Sequence, residues 1–226
     1  MCGRYTLTTE WGEVANEFGL PEPLGAAADL PPRYNVAPSQ PVPVVALKAD
    51  RVTRGLAMLR WGLVPYWSND PTVGPRPINL KAETVAWKFG EHLRQKRCLV
   101  PADGFYEWKA EGRRKRPFRF TVDGGRVFAF AGLWDVWGDT PPKLATCCTL
   151  TTTPNDLVAT VHDRMPVILT AEHFADWLDP ATTDRRLREL MTAFPAGRMA
   201  VAEANPAVNK ATVEGPECLA VGSGVK

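Results

Sequence analysis

The chain of 226 residues is 45% hydrophobic and 23% charged, with a net charge of +2; this is enough apolar material for a sizeable core, in the balance of a globular protein. So mild a charge neither demonstrates nucleic-acid binding nor excludes a local basic groove. Cys2, Cys98, Cys147, Cys148 and Cys218 are odd in number, include one adjacent pair and form no CxxC, which excludes a disulfide framework and zinc-type spacing, so reduced thiols and no metal are expected. No basic start followed by an apolar run marks a signal peptide, and no apolar stretch is long enough to span a bilayer. A soluble, cytoplasmic protein without membrane contact is expected.

In chain order, the apolar residues Trp11, Val14, Ala15 and Phe18 have helical spacing over Glu10 to Phe18, with Thr9 as the expected N-cap. Residues 21–32 (PEPLGAAADLPP) read as an irregular surface loop and not as a domain boundary. Pro41 to Lys48 and Val52 to Leu59 read as paired strands joined by Ala49-Asp50-Arg51. A second helix is expected over Glu83 to Gln95, with Gly90 as its weak point. Arg97 to Lys109 reads as strand, turn, strand, bending at residues 101–104. Further strands are expected over Phe118 to Val122, Arg126 to Trp134 and Leu144 to Thr151, with Asp123-Gly124-Gly125 as a hairpin turn. Short helices are expected over Asn155 to Val161, Ala171 to Leu178 and Thr183 to Thr192, then final strands over Val201 to Ala204 and Glu217 to Val221. With no repeat and no linker, the whole chain, residues 1–226, reads as a single α+β domain. Its curled, barrel-like, mostly antiparallel sheet is expected to carry peripheral helices.

Cys2 follows the initiator Met1. Cys is small enough for methionine aminopeptidase to remove the Met, leaving a free α-amine and a thiol on one residue. This 1,2-aminothiol closes on an aldehyde to give a thiazolidine ring. The amine, with an unperturbed pKa of about 7.7–8.0, is partly neutral near physiological pH. Arg4 is a candidate to lower the thiol pKa. Glu107 in GFYEW is either a solvent-facing strand carboxylate or a general acid raised by apolar walls. His162 in VHDRMP is either structural or catalytic, whereas His92 and His173 sit in amphipathic stretches and read as surface residues. Asn79 and Asn35 are turn or cap residues, or polar groups that orient a substrate. Trp61, Tyr66 and Trp67 in WGLVPYW either pack the core or stack on single-stranded bases. GRRKRP (112–117) reads as a solvated hairpin tip. No GxSxG, phosphate loop or dinucleotide fingerprint is present.

Taken together, MCGRY (1–5), RYNVAP (33–38), WGLVPYW (61–67), Asn79 with AET (82–84), RCLVPADGFYEWK (97–109), FAGLW (130–134), HDRMP (162–166) and NPAVNK (205–210) resemble the SOS response-associated peptidase family, the abasic-site processing proteins. The resemblance covers nearly the whole chain. It implies binding to single-stranded DNA that carries an abasic site, and covalent capture of the C1′ aldehyde as a thiazolidine at Cys2, without a cofactor. By the same resemblance Cys2 is the crosslinking nucleophile, Asn79 hydrogen-bonds near the ring, Glu107 is the acid of sugar opening and crosslink reversal, and His162 assists the Schiff-base chemistry. Arg4, Asn35, Trp67, Thr151 and Arg164 fall at DNA-contact positions. Lys81 stands where the family often has Arg, keeping the charge without a bidentate fork. A monomer, nucleoid-associated if bacterial, and a secondary lyase activity are also expected. The alternatives are a Cys2-dependent thiol peptidase and a noncovalent single-strand binding module.

Overall fold

The computed structural model describes residues 2–20, 30–74 and 76–219. The chain starts in β1 (Tyr5–Leu7). It continues through α1 (Trp11–Phe18), whose buried face is Trp11, Val14, Ala15 and Phe18 and which Gly19 ends in the left-handed region at φ 58°. There follow β2 (Arg33–Val36), β3 (Pro41–Leu47), β4 (Arg54–Trp61), β5 (Asn79–Lys81) and α2 (Val85–Gln95). Next come β6 (Arg97–Ala102), β7 (Gly104–Glu111), β8 (Arg114–Val122), β9 (Phe128–Trp137) and β10 (Leu144–Thr152). The chain then runs through α3 (Asp156–Ala159), β11 (Met165–Pro166), β12 (Ile168–Leu169), α4 (Ala171–Leu178), α5 (Asp184–Leu190) and β13 (Met199–Glu203). Short 3₁₀ turns follow at Pro206–Asn209 and Pro216–Leu219.

Five of these strands close a barrel. β4, β3, β6, β9 and β10 pair antiparallel in that order, and a parallel pairing of β10 with β4 completes the ring, Thr146 beside Arg60 and Cys147 beside Trp61. Closure leaves these strands without free edges. A second, wholly antiparallel sheet runs β13-β8-β7-β1-β2. The α+β, barrel-like reading of the sequence therefore holds. Tyr5 of the second sheet meets Trp61 and Phe130 of the barrel edge to face, at 5.5 and 5.6 Å, so one core joins the two. Gly132 sits where β6 and β10 flank β9. A Cβ there would meet the Cys148 carbonyl oxygen at 2.9 Å and Cys98 Sγ at 3.0 Å, so only glycine fits.

Several local expectations are corrected. β1 and β2 have no counterpart among the expected elements: RYNV pairs antiparallel with Tyr5 and Leu7. Thr9 does not cap α1, whose N-cap is Glu10 without a side-chain bond. Asp123-Gly124-Gly125 turns the chain but joins no hairpin, because β8 stays in the second sheet while β9 enters the barrel. α2 is broken at Phe89, with φ −123° and ψ 28°, beside Gly90. His92 is not a surface residue but fully buried against Asp135. The stretch expected as a strand from Glu217 is 3₁₀ over Pro216–Leu219, and residues 220–221 lie outside the described residues, as do 21–29 of the expected loop. GRRKRP does surround a hairpin tip, with Gly112 at φ 60° and Arg116 paired to Glu111 and Glu203.

Thr9 is diverted by Asp103, the bend residue between β6 and β7. One Asp103 carboxylate oxygen accepts from the backbone N–H and hydroxyl of both Thr8 and Thr9, and the other accepts from the Thr6 hydroxyl at 2.5 Å. This buried carboxylate therefore holds β1 beside β7. Asp103→Ala strands those donors and is expected to cost about 3 kcal/mol or more, read as a lower urea midpoint at unchanged m.

Candidate active site

The register of β1 on β7 sets Tyr5 opposite Phe105 and Thr6 opposite Gly104, and Tyr106 N–H donates to the Arg4 carbonyl at 3.0 Å. Continued by one pair, that register carries the chain start alongside Glu107. On the barrel side β5 lies parallel to β10, Asn79 beside Thr149 and Lys81 beside Thr151. The site lies where these two pairings meet.

Asn79 Nδ2 donates to the Cys2 carbonyl at 2.6 Å, and its Oδ1 accepts from the Thr149 hydroxyl at 2.5 Å. Both ends of the carboxamide are used, so its orientation is fixed and so is the Cys2 main chain. Thr149 is a site residue the sequence reading passed over. Its signal was the period of two on β10, which puts it on the same face as Thr151.

Cys2 is fully buried, with Sγ 3.8 Å from the Arg4 carbonyl oxygen. Burial pushes its thiol well above the ordinary range, and the Glu107 charge adds to the effect. The expectation that Arg4 lowers this pKa is not met. Arg4 Nη1 donates instead to Asn35 Oδ1 at 2.8 Å and to the Val208 carbonyl at 2.6 Å.

Glu107 is 2% exposed, and burial raises its carboxyl to about 7. Its Oε2 lies 3.9 Å from His162 Nε2. His162 Nδ1 accepts the Arg164 backbone N–H at 3.0 Å and lies 3.0 Å from Asp163 Oδ1. Partial burial lowers the His162 pKa and favours the neutral ring. Cys2, Asn79, Thr149, Glu107 and His162 thus bring together a thiol, a fixed amide, a carboxyl poised near neutrality and a neutral imidazole. This set suits proton transfers during addition to a carbonyl.

The other candidate residues divide by exposure. Trp67 is 47% exposed, and Lys81 is exposed. Arg164 is half-buried, forked onto Glu83 at 2.7 and 2.9 Å and donating to the Thr151 carbonyl at 2.6 Å. Thr151 is buried. Asn35 is buried too, its Nδ2 donating to the carbonyls of Lys210 and Val213 at 3.0 and 2.8 Å. Its side chain therefore ties NPAVNK to β2 and holds Arg4. All five cysteines are free and buried. Among the described residues no group of three or more His, Cys, Asp or Glu side chains could hold a metal ion, and no helix is long and apolar enough to cross a membrane.

A family model described as SOS response associated peptidase (SRAP) matches residues 1–211. The abasic site processing protein YoqW of Bacillus subtilis is 40% identical over 225 residues, covering 97% of this chain and 99% of that one. The abasic site processing protein HMCES of Gallus gallus is 32% identical over 83% of this chain and 66% of its own length. Among solved structures, a protein from Bacteroides thetaiotaomicron superposes with a TM-score of 0.86 at 26% identity, covering 96% of this chain and 98% of that one.

Proposed function

The chain belongs to the SOS response associated peptidase family, and from that premise we propose that it processes abasic sites in DNA by capturing the ring-opened sugar covalently at Cys2. The observation that carries this reading is the placement of residue 2. Its carbonyl is held by Asn79, and Glu107 and His162 lie together beside it.

Removal of Met1 frees the Cys2 α-amine. That amine attacks the C1′ aldehyde of the abasic sugar, forming a carbinolamine. Protonated Glu107 gives its proton to the departing hydroxyl, water leaves, and an imine results. The Cys2 sulfur then adds to the imine carbon as its proton passes to the nitrogen, with His162 as the neutral relay. The product is a thiazolidine joining protein and DNA. The raised thiol pKa supports this order, amine first and thiol second, because little thiolate exists to attack first. The same burial weighs against a thiol peptidase, which needs a thiolate.

The partner in this reading is single-stranded DNA with an abasic site, engaged by a monomer in the cytoplasm or nucleoid. An abasic nucleotide enters a pocket cheaply, since no base must be unstacked. Lys81 and Trp67 offer the exposed charge and ring for the flanking strand, while Arg4, Asn35, Thr151 and Arg164 shape the wall behind it. The imine also makes the C2′ proton acidic, so β-elimination is a secondary outcome.

The test is a denaturing gel of Met1-processed protein with a single strand carrying one abasic site, beside an intact strand. A heat-resistant shifted band is expected with the abasic strand only. No band, with Met1 shown to be absent by mass spectrometry, overturns the covalent reading in favour of a noncovalent binding module.

A further inference from the structure

Residues 62–68 of WGLVPYW and the following Ser are pinned along their length to the barrel. Gly62 N–H donates to the Cys147 carbonyl, Leu63 N–H to the Pro77 carbonyl and Val64 N–H to the Thr146 hydroxyl. Tyr66 N–H donates to Asp135 Oδ2 at 2.7 Å, and Trp137 Nε1 donates to the Ser68 carbonyl at 2.6 Å. Asp135, fully buried on β9, is the centre of this anchoring. Besides Tyr66 it accepts His92 Nε2 at 2.7 Å, Lys96 Nζ at 2.5 Å and Val136 N–H at 2.8 Å.

His92 itself packs among rings. Its imidazole meets Trp67 edge to face at 5.1 Å and Phe89 at 5.5 Å, and lies nearly parallel to Tyr66 at 6.2 Å. Trp67 also touches Tyr66 at 4.9 Å and Phe89 at 5.7 Å, yet leaves about half its surface, 47%, open. His92 Nδ1 is buried without a hydrogen-bond partner among the described residues. An apolar side chain would fill this space without that cost. What an apolar residue could not do is bond Asp135 and face the indole at once.

We propose that His92 and Asp135 are a positioning pair that sets the orientation of the half-exposed Trp67 ring and thereby the grip on a nucleobase of the bound strand. Neither side chain touches the strand. Asp135 fixes the loop backbone at Tyr66, and the His92 ring, held by Asp135, fixes the indole. The inference rests on the proposed function only in taking single-stranded DNA as the ligand, so its test uses an intact strand, on which no crosslink forms.

The measurement is the dissociation constant of a labelled single strand for wild type, Trp67→Ala, His92→Gln and the double variant. Gln keeps an amide donor for Asp135 and removes the ring. Trp67→Ala is expected to weaken binding about tenfold, the scale of one lost stacked base. His92→Gln is expected to weaken it several-fold in the wild-type background and not at all in the Trp67→Ala background, because it acts only through the indole. Asp135→Asn is the second variant and is expected to show the same dependence on Trp67. The Trp67 emission, taken as the difference from Trp67→Ala, is expected to shift red in His92→Gln as the ring loses its packed edge. Equal losses in both backgrounds, or binding that is insensitive to Trp67→Ala, would overturn the proposal. A missing crosslink to abasic DNA would not, since the intact-strand measurement is independent of Cys2 chemistry.

Discussion

Cys2→Ala is expected to form no heat-resistant adduct with abasic single-stranded DNA. The reason is geometric as well as chemical. Ring closure by the thiol is intramolecular, and such closures reach effective molarities of about 10⁵ M or more. Removing the sulfur leaves only an imine, which water reverses. Cys2→Ser separates the two functions of the residue. It keeps the amine, so an imine still forms, but the ring it would close with oxygen is less stable. Strand cleavage by β-elimination should therefore persist or rise in Cys2→Ser while the stable band disappears. A single Gly inserted between Met1 and Cys2 tests the other half, since Cys2 then keeps its thiol and loses its free amine. It too should give no adduct. A band surviving in Cys2→Ala, or in the Gly-extended chain, would sink the aminothiol mechanism.

Glu107→Gln carries the second large effect. Loss of a positioned acid typically slows a proton-transfer step by about 10²–10⁴-fold, and adduct formation in single-turnover time courses should slow by that order. The pH dependence has a definite sign. In the proposed mechanism Glu107 acts as an acid when protonated, and burial raises its pKa to about 7. The Cys2 amine must be neutral, with an unperturbed pKa of about 7.7–8.0. The rate should therefore peak between these values and fall on both sides. In Glu107→Gln the alkaline limb should disappear and the acid limb should remain.

Stability should move the opposite way to activity. The folded-state pKa of Glu107 lies above its unfolded value, from 4.5 up to about 7. Between those values the folded state holds a proton that the unfolded chain has released. Stability therefore falls as pH rises through that window, and the deficit is complete above about pH 7. Gln has no such deficit. Glu107→Gln is expected to melt higher than wild type at pH 8, with the difference shrinking toward pH 4.5. Equal melting temperatures at both pH values would mean that Glu107 is not held as a strained acid.

His92 shows why parts of the fold were hidden from local reading. Its helix has an amphipathic pattern that fits a polar face at that position, and nothing nearby in sequence announces Asp135, which lies 43 residues away. The same holds for Asp103, whose bonds to Thr6, Thr8 and Thr9 span more than ninety residues and override the capping role that Thr9 would have in isolation. β1 and β2 are three and four residues long, too short for periodicity to register, and they are strands only because each finds a partner.

The hairpin around Gly112 and the amphipathic face of α1 follow from the sequence itself. Each depends on bonded neighbours or on a period of a few residues. The depth of Cys2, the orientation of Asn79 by Thr149, the raised pKa of Glu107 and the internal placement of Asn35 emerge only once the barrel closes on β10 and β1 lies down beside β7. Burial and hydrogen-bond partnership are properties of groups distant in the chain and adjacent in space, and only the packed core sets them.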